Sequence, residues 1–338
     1  MHAIVLVGGF GTRLRPLTLS RPKQLLPVLD RPMLDWVVER LAGAGVDEIV
    51  LSLGYRPDAF RHGYPDGRCA GVSLHYAVEP EPLDTAGAIR FAALAAGLDR
   101  SREPFVVVNG DVVTDADLGA LLDLHQARGA AATIGLTPVD DPSRYGVVPV
   151  DRDDRVTAFI EKPTIDEAPS NWINAGTYVL EPSVLALIPD GRRVSIERQT
   201  FPMLVAEGTL FARQDPAYWI DAGTPESYLQ VQFDLQARVR GADAHVAASA
   251  EIASSATIER SVVMAGAVVA ADATVRGSTL LPGARVERAA CVVDSIVGWG
   301  ATVGAGARLD GLCVLGEGVV VASGEQLTGK RRPSPPSG

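Results

Sequence analysis

Residues 8–17 read GGFGTRLRPL, three glycines and two arginines in ten positions. Glycines let a turn aim its N–H groups inward as an anion-binding nest. Arg13 and Arg15 add fork-shaped donors for phosphate oxygens. The following SRPKQLLPV supplies Lys23, set between prolines that stiffen it. A Walker loop requires Gly-Lys-Ser/Thr, and no lysine follows Gly11. A dinucleotide fingerprint requires glycine at position 14 and an acid ending the second strand; the chain has Leu14 and the acid-free LSLGY. Asp111 in VVVNGDV and Asp221 in YWIDAG each follow an apolar run. Together they can hold Mg2+ through carboxylate oxygens, with phosphates and water completing the octahedron. Either one alone reads more readily as a turn or cap residue.

These side chains need a scaffold. Up to about Arg240, the strand-like runs AIVLV, EIVLSL, VSLHYAV, PFVVVNG and AATIGLTPV alternate with the amphipathic segments MLDWVVERLAGAG, TAGAIRFAALAAG and DADLGALLDLHQARG. That order predicts an α/β, Rossmann-like domain with a mostly parallel mixed sheet and helices on both faces. Ligands of such sheets sit at the carboxyl ends of the strands. The glycine loop after Val7 and NGD after Val108 both fall there, so they are expected to converge. After Arg240 the helical pattern stops. Val246, Ile252 and Ile258, then Val263, Val269, Val275 and Leu281, then Val297, Val303, Leu309 and Leu315 recur every six residues. This hexapeptide repeat predicts a C-terminal left-handed parallel β-helix of four to five turns, each apolar residue pointing into the coil. The expected division is 1–240 catalytic, 241–328 β-helix, and 329–338 a disordered tail.

The net charge of -10 argues against nucleic-acid binding, which favours a basic surface. Three cysteines, Cys69, Cys291 and Cys313, lie at no metal-ligand spacing and read as packing residues. Their odd, sparse count suggests a reducing compartment. The first strand starts at Ala3, leaving no room for a signal peptide, and no uncharged apolar run reaches membrane-span length. A cytoplasmic protein without membrane contact is expected.

The chain resembles the sugar nucleotidyltransferases, closest to their GDP-mannose pyrophosphorylase branch. The resemblance rests on GGFGTRLRPLT, RPKQLLPV, EPLDTAGAIR, NGDV, DPSRYGVV, FIEKP, INAGTYVL, SIERQTFP, YWIDAGTPESY and the repeat tail, in that order. It implies an enzyme of class EC 2.7.7 that joins an NTP, GTP first, to a sugar 1-phosphate, mannose 1-phosphate first. It also implies Mg2+ held by Asp111 and Asp221. Nucleotide contacts are implied for Leu6, Gly8, Gly9, Gly11, Thr12, Arg13, Lys23, Glu81, Pro82, Thr85, Ala86, Gly87 and Asp111. Sugar contacts are implied for Gly110, Gly146, Glu161, Lys162, Asn174 and Gly176, with Lys162 drawing in the sugar phosphate. Arg13 and Lys23 would neutralise the departing pyrophosphate.

Within the base loop, Glu81 offers a carboxylate for the N–H donors of guanine, Thr85 is placed to start a helix, and Gly87 to let the base approach. The family's Pro-Leu-Gly-Thr-Ala-Gly reads Pro-Leu-Asp-Thr-Ala-Gly here, with Asp84 in the glycine's place. Asp tolerates positive φ better than most residues, and Arg90 is a candidate partner for its charge. RPKQLLPV also resembles the thymidylyltransferase branch, leaving dTTP and glucose 1-phosphate as the alternative pair. A regulatory homologue that only senses sugar nucleotide is disfavoured by the presence of Gly11, Arg13, Lys23, Asp111, Lys162 and Asp221. Acetyl transfer in the coil lacks its base, since His245 is the sole histidine after Arg240. The coil suits self-association, so a homo-oligomer is expected, and a chain ending near Arg240 is expected to retain the nucleotide site.

Overall fold

The computed structural model describes residues 1–333 apart from 55 and 242. Its helices are α1 (Met33–Gly43), α2 (Pro57–Gly63), α3 (Asp84–Ala95), α4 (Leu118–Arg128), α5 (Phe201–Glu207) and α6 (Pro225–Arg240). The chain forms two compact units. One joins Met1–Gly9 to Leu34–Ile220; the other joins Phe10–Met33 to the residues from Asp221 onward. By its contacts the arginine-bearing segment Phe10–Met33 groups with the coil unit, an interleaving that the expected division at 240 did not include.

In the first unit, Phe105–Asn109, His2–Leu6, Glu48–Leu53 and Val72–Val78 are consecutive parallel neighbours. These runs are apolar at nearly every position because α3 packs against three of them and the sheet is covered. Trp172–Leu180 pairs antiparallel with both Phe105–Asn109 and Ala132–Pro138, which makes the sheet mixed. Gly146–Val147 and Ile160–Glu161 extend its edge. Asp117 caps α4 by accepting the Ala120 N–H at 3.0 Å, and α4 packs on Ala132–Pro138. Register decides the site: Leu6 lies opposite both Asn109 and Ser52, and Thr177 opposite Val108. The Gly110 N–H donates to the Leu6 carbonyl at 3.0 Å, so the glycine loop and NGD do converge.

In the second unit, three parallel sheets stack as a triangular coil. One carries His245–Val246, Val262–Val263, Thr279–Leu280, Ile296–Val297, Val314–Leu315 and Arg331–Arg332; the other two carry five strands each. The coil interior holds Val263, Val269, Val275, Leu280, Val286, Val292, Val297, Val303, Leu309, Leu315, Val321 and Leu327. Two details of the repeat are corrected. Leu280 rather than Leu281 faces this interior, because the corner after Arg276 shortens the phase by one. Val246 is 42% exposed, because the first turn has no turn beneath it. The coil also continues past the expected end at 328: Arg331–Arg332 pairs with Val314–Leu315. The rest of the expected tail, 334–338, lies outside the described residues.

One corner carries a ladder. The N–H groups of Ser278 and Ser295 donate to the hydroxyls of Ser261 and Ser278, each 17 residues back, at 3.1 and 3.0 Å. Cys313 takes the next rung, its N–H donating to Ser295 Oγ at 3.1 Å. These buried donors would otherwise cost stability unpaired. Beside the coil, Gln232 of α6 accepts from Leu29 N at 2.7 Å and donates to the Pro27 carbonyl at 2.8 Å, anchoring the end of the Phe10–Met33 segment.

Candidate active site

In the first unit, Leu6, Gly8 and Gly9 leave the first strand and Asn109, Gly110 and Asp111 leave its neighbour at the same sheet end. Asp111 is buried. INAG reaches this end through a bulge: the register of Trp172–Leu180 against Ala132–Pro138 shifts between Asn174 and Tyr178. Gly176 has φ +70°, and a Cβ there would lie 2.4 Å from Asn109 Nδ2. Only glycine lets the bulge press against NGD. Asn174 Oδ1 accepts the Gly176 N–H at 2.9 Å, and its Nδ2 donates to the Tyr178 hydroxyl at 2.8 Å. Burial pushes that phenol well above its ordinary range, so it stays neutral. Asn174 keeps one donor and part of its oxygen for a ligand.

Gly146 pairs with Glu161 across the sheet edge. A side chain at 146 would collide with the Phe159 ring at 2.7 Å, so Phe159 is the immediate neighbour of this glycine. Lys162 adopts φ +52°, rare for a residue with a side chain. Its N–H donates to the Tyr145 carbonyl at 3.0 Å, and Nζ lies 3.4 Å from Glu161 Oε1. With 58% of its side chain exposed, Lys162 holds a solvent-facing charge on a constrained backbone.

The base loop differs in detail from expectation. Glu81 and Pro82 are exposed. Glu79, which sequence reasoning passed over, is the structural carboxylate: Oε1 accepts from Ser52 Oγ at 2.9 Å and Oε2 from Leu83 N at 3.1 Å. Thr85 does not cap its own helix. Its hydroxyl donates to Glu197 Oε2 at 2.7 Å and accepts from Ile196 N at 2.8 Å. Ser195 Oγ also donates to Glu197, at 2.7 Å, so SIERQ serves as the base loop's clamp. The Ala86 N–H donates to the Val194 carbonyl at 2.9 Å. A Cβ on Gly87 would meet the Arg192 carbonyl at 2.7 Å, so this glycine admits the chain's own backbone. Asp84 does take positive φ, at 59°. Its Oδ1 accepts from Thr85 N at 2.9 Å, and its Oδ2 lies 3.9 Å from Arg193 Nε. Arg90 instead donates to the Leu185 carbonyl at 2.9 Å and approaches Asp190.

In the second unit, Thr12–Leu14 forms a single 3-10 turn after Gly11. Thr18 Oγ1 donates to the Gly11 carbonyl at 2.7 Å, folding the loop back so that Lys23 lies beside Gly11. Lys23 opens the next 3-10 turn, capped by Pro22. Arg13 Nη2 lies 3.6 Å from Asp221 Oδ2, and Asp221 Oδ1 accepts the Gly223 N–H at 2.8 Å. Gly11, Thr12, Arg13, Lys23 and Asp221 thus form one group in this unit.

No cluster of three or more His, Cys, Asp or Glu side chains fit for a metal occurs among the described residues. Asp111 in the first unit and Asp221 in the second each offer oxygen donors only, a donor type that suits a hard divalent cation and does not suit a closed zinc site. No described helix is long and apolar enough to cross a membrane.

The nucleotidyl transferase family model matches residues 2–238, and the GMPPB C-terminal domain model matches 241–331. The chain is 40% identical to a mannose-1-phosphate guanylyltransferase of Mycobacterium tuberculosis, over 96% of this chain and 82% of that one. It is 41% identical to a mannose-1-phosphate guanyltransferase of Pichia angusta, over 95% of this chain and 92% of that one. A crystal structure from Bacillus anthracis, described as a candidate glucose-1-phosphate thymidylyltransferase in complex with a sucrose, superposes with TM-score 0.62 at 27% identity, over 69% of this chain and 94% of that one. Strand-end loops, clamp and coil all fall inside the matched segments, and the chain belongs to the nucleotidyl transferase family, carrying a GMPPB-type C-terminal domain.

Proposed function

We propose that this protein transfers the guanylyl group of GTP to mannose 1-phosphate, giving GDP-mannose and pyrophosphate. The observation that carries this reading is the gathering of Gly8, Gly110, Asp111, Asn174 and Gly176 at one sheet end, in a chain whose relatives at about 40% identity bear that activity in their names. A phosphate oxygen of the sugar attacks the α-phosphorus; the new O–P bond forms as the bond to pyrophosphate breaks. No protein nucleophile is needed, so positioning and charge neutralisation carry the work. Lys162 draws the sugar phosphate forward, with Glu161 and Asn174 accepting sugar hydroxyls. Arg13 and Lys23 balance the charge growing on pyrophosphate. Asp111 and Asp221 are the carboxylates for Mg2+, which when bound supplies charge neutralisation at the nucleotide phosphates. Three cysteines with no disulfide between them support a reducing, cytoplasmic setting.

The test is a matrix of NTPs against sugar 1-phosphates, scored by pyrophosphate release with and without Mg2+. GTP with mannose 1-phosphate should lead. Preference for dTTP with glucose 1-phosphate would move the chain to the thymidylyl reading, and no release from any pair would leave a sugar-nucleotide sensor. In the same assay Asp111→Asn and Asp221→Asn should each lower turnover by at least about 10²-fold with unchanged circular dichroism.

A further inference from the structure

Three successive turns of the coil contact the arginine-bearing segment, the last of them through its backbone. Arg331, on the last described strand of the coil, donates through Nη1 to the main-chain carbonyls of Arg13 at 2.9 Å and Arg15 at 3.4 Å. One turn earlier, Glu317 Oε1 lies 3.5 Å from Arg21 Nη2. Next to Glu317, a Cβ on Gly316 would meet Pro16 at 3.1 Å. One turn earlier again, the Trp299 ring lies under the Arg21 guanidinium at 4.5 Å. All these residues lie within one compact unit.

The Arg13 side chain is 58% exposed. Its guanidinium lies beside Asp221 and Gly223 on one side only, so its reach towards a ligand depends on where its own backbone sits. The two carbonyls that Arg331 holds flank the end of the Thr12–Leu14 turn, where 3-10 geometry leaves carbonyls in need of donors. A guanidinium satisfies both at once, and a charged donor makes the stronger bond.

We infer that Arg331 is a positioning residue: by clamping the Arg13 and Arg15 carbonyls it sets the Arg13 guanidinium for the nucleotide phosphates. This deepens the proposed function and rests on Arg13 handling those phosphates. The coil thereby becomes part of the nucleotide site, beyond any role in assembly.

Kinetics of the full-length enzyme with GTP and mannose 1-phosphate, for Arg331→Met, Arg13→Ala and the double variant, test it. Methionine keeps the apolar stem and removes the donors. Arg331→Met should lower kcat/KM for GTP by about 10- to 100-fold, with the KM for mannose 1-phosphate within about twofold of wild type. In the Arg13→Ala background it should have almost no further effect, because nothing remains to be positioned. Arg331→Lys should recover part of the loss. Equal damage to both substrates, full additivity with Arg13→Ala, or wild-type kinetics would each overturn the proposal. If Arg13→Ala is itself fully active, the phosphate reading fails; if Arg13→Ala is impaired while Arg331→Met is not, only the clamp fails. Should Arg331→Met not fold, Trp299→Leu perturbs the same segment two turns away, and the same cycle with Arg13→Ala decides.

Discussion

Asp84 shows how one side chain bends a shared pattern. Its positive φ costs about 1 kcal/mol relative to glycine, and its carboxylate stands at the head of the base loop, only loosely balanced by Arg193. Asp84→Gly should lower the KM for GTP by about two- to fivefold, the scale of one exposed charge, while leaving that for mannose 1-phosphate unchanged. A rise in the GTP value would make Asp84 a nucleotide ligand. The two lysines should separate in the opposite sense. Lys162→Ala should cut kcat/KM for mannose 1-phosphate by about 10²- to 10³-fold, and Lys23→Ala should act mainly on GTP. Identical patterns in steady-state kinetics with either substrate varied would refute the division. Residue types and motif order exposed these charges to sequence reading. Glu79 escaped it, because a carboxylate spent on Ser52 and Leu83 looks no different in sequence from Glu81, which is exposed.

Elements were legible where the apolar period was regular. The strands at His2–Leu6, Glu48–Leu53, Val72–Val78, Phe105–Asn109 and Ala132–Pro138 follow the apolar runs closely. What escaped was pairing between distant elements. The clamp of Thr85 by Ile196 and Glu197 joins segments more than 100 residues apart, and no local pattern announces it. In the same way, nothing in the periodicity marked Cys313 as a rung of a serine ladder. Helix α4 carries a titratable element of this hidden kind. His125 is buried, with Nδ1 2.9 Å from Thr133 Oγ1 and Nε2 3.3 Å from Glu181. Desolvation lowers its pKa, and Glu181 offsets only part of that. The unfolded chain therefore binds a proton near pH 6.5 that the folded chain refuses, and stability falls as pH drops below that value. Thermal melts from pH 7.5 to 5 should show this slope, and His125→Gln should flatten it. An unchanged slope in the variant would place the acid sensitivity elsewhere.

At the scale of the whole molecule, the contacts between the coil and residues 13–21 argue against the expectation that a chain ending near Arg240 keeps its nucleotide site. That truncation removes Trp299, Glu317 and Arg331, the neighbours of residues 13–21. The truncated chain should lose more than about 10²-fold in guanylyl transfer. If the coil also mediates assembly, light scattering should show a lower mass. Full activity in the truncated chain would show that the segment finds its geometry unaided. Composition and period displayed a catalytic half and a coil half correctly; the interleaving stayed hidden, because hydrogen bonds spanning 318 residues leave no trace in local pattern.

The bond from Arg331 to Arg13 also carries a cost in time. A ribosome delivers Arg13 first and Arg331 only 318 residues later, an interval of roughly 15 to 60 s at ordinary elongation rates. Through that interval the sheet strands can pair as they emerge, whereas Phe10–Met33 has none of its coil partners. The nascent chain must carry Arg13 without the Arg331 bond until synthesis is nearly complete, and any stop codon or proteolytic cut that removes the last turn removes that bond for good.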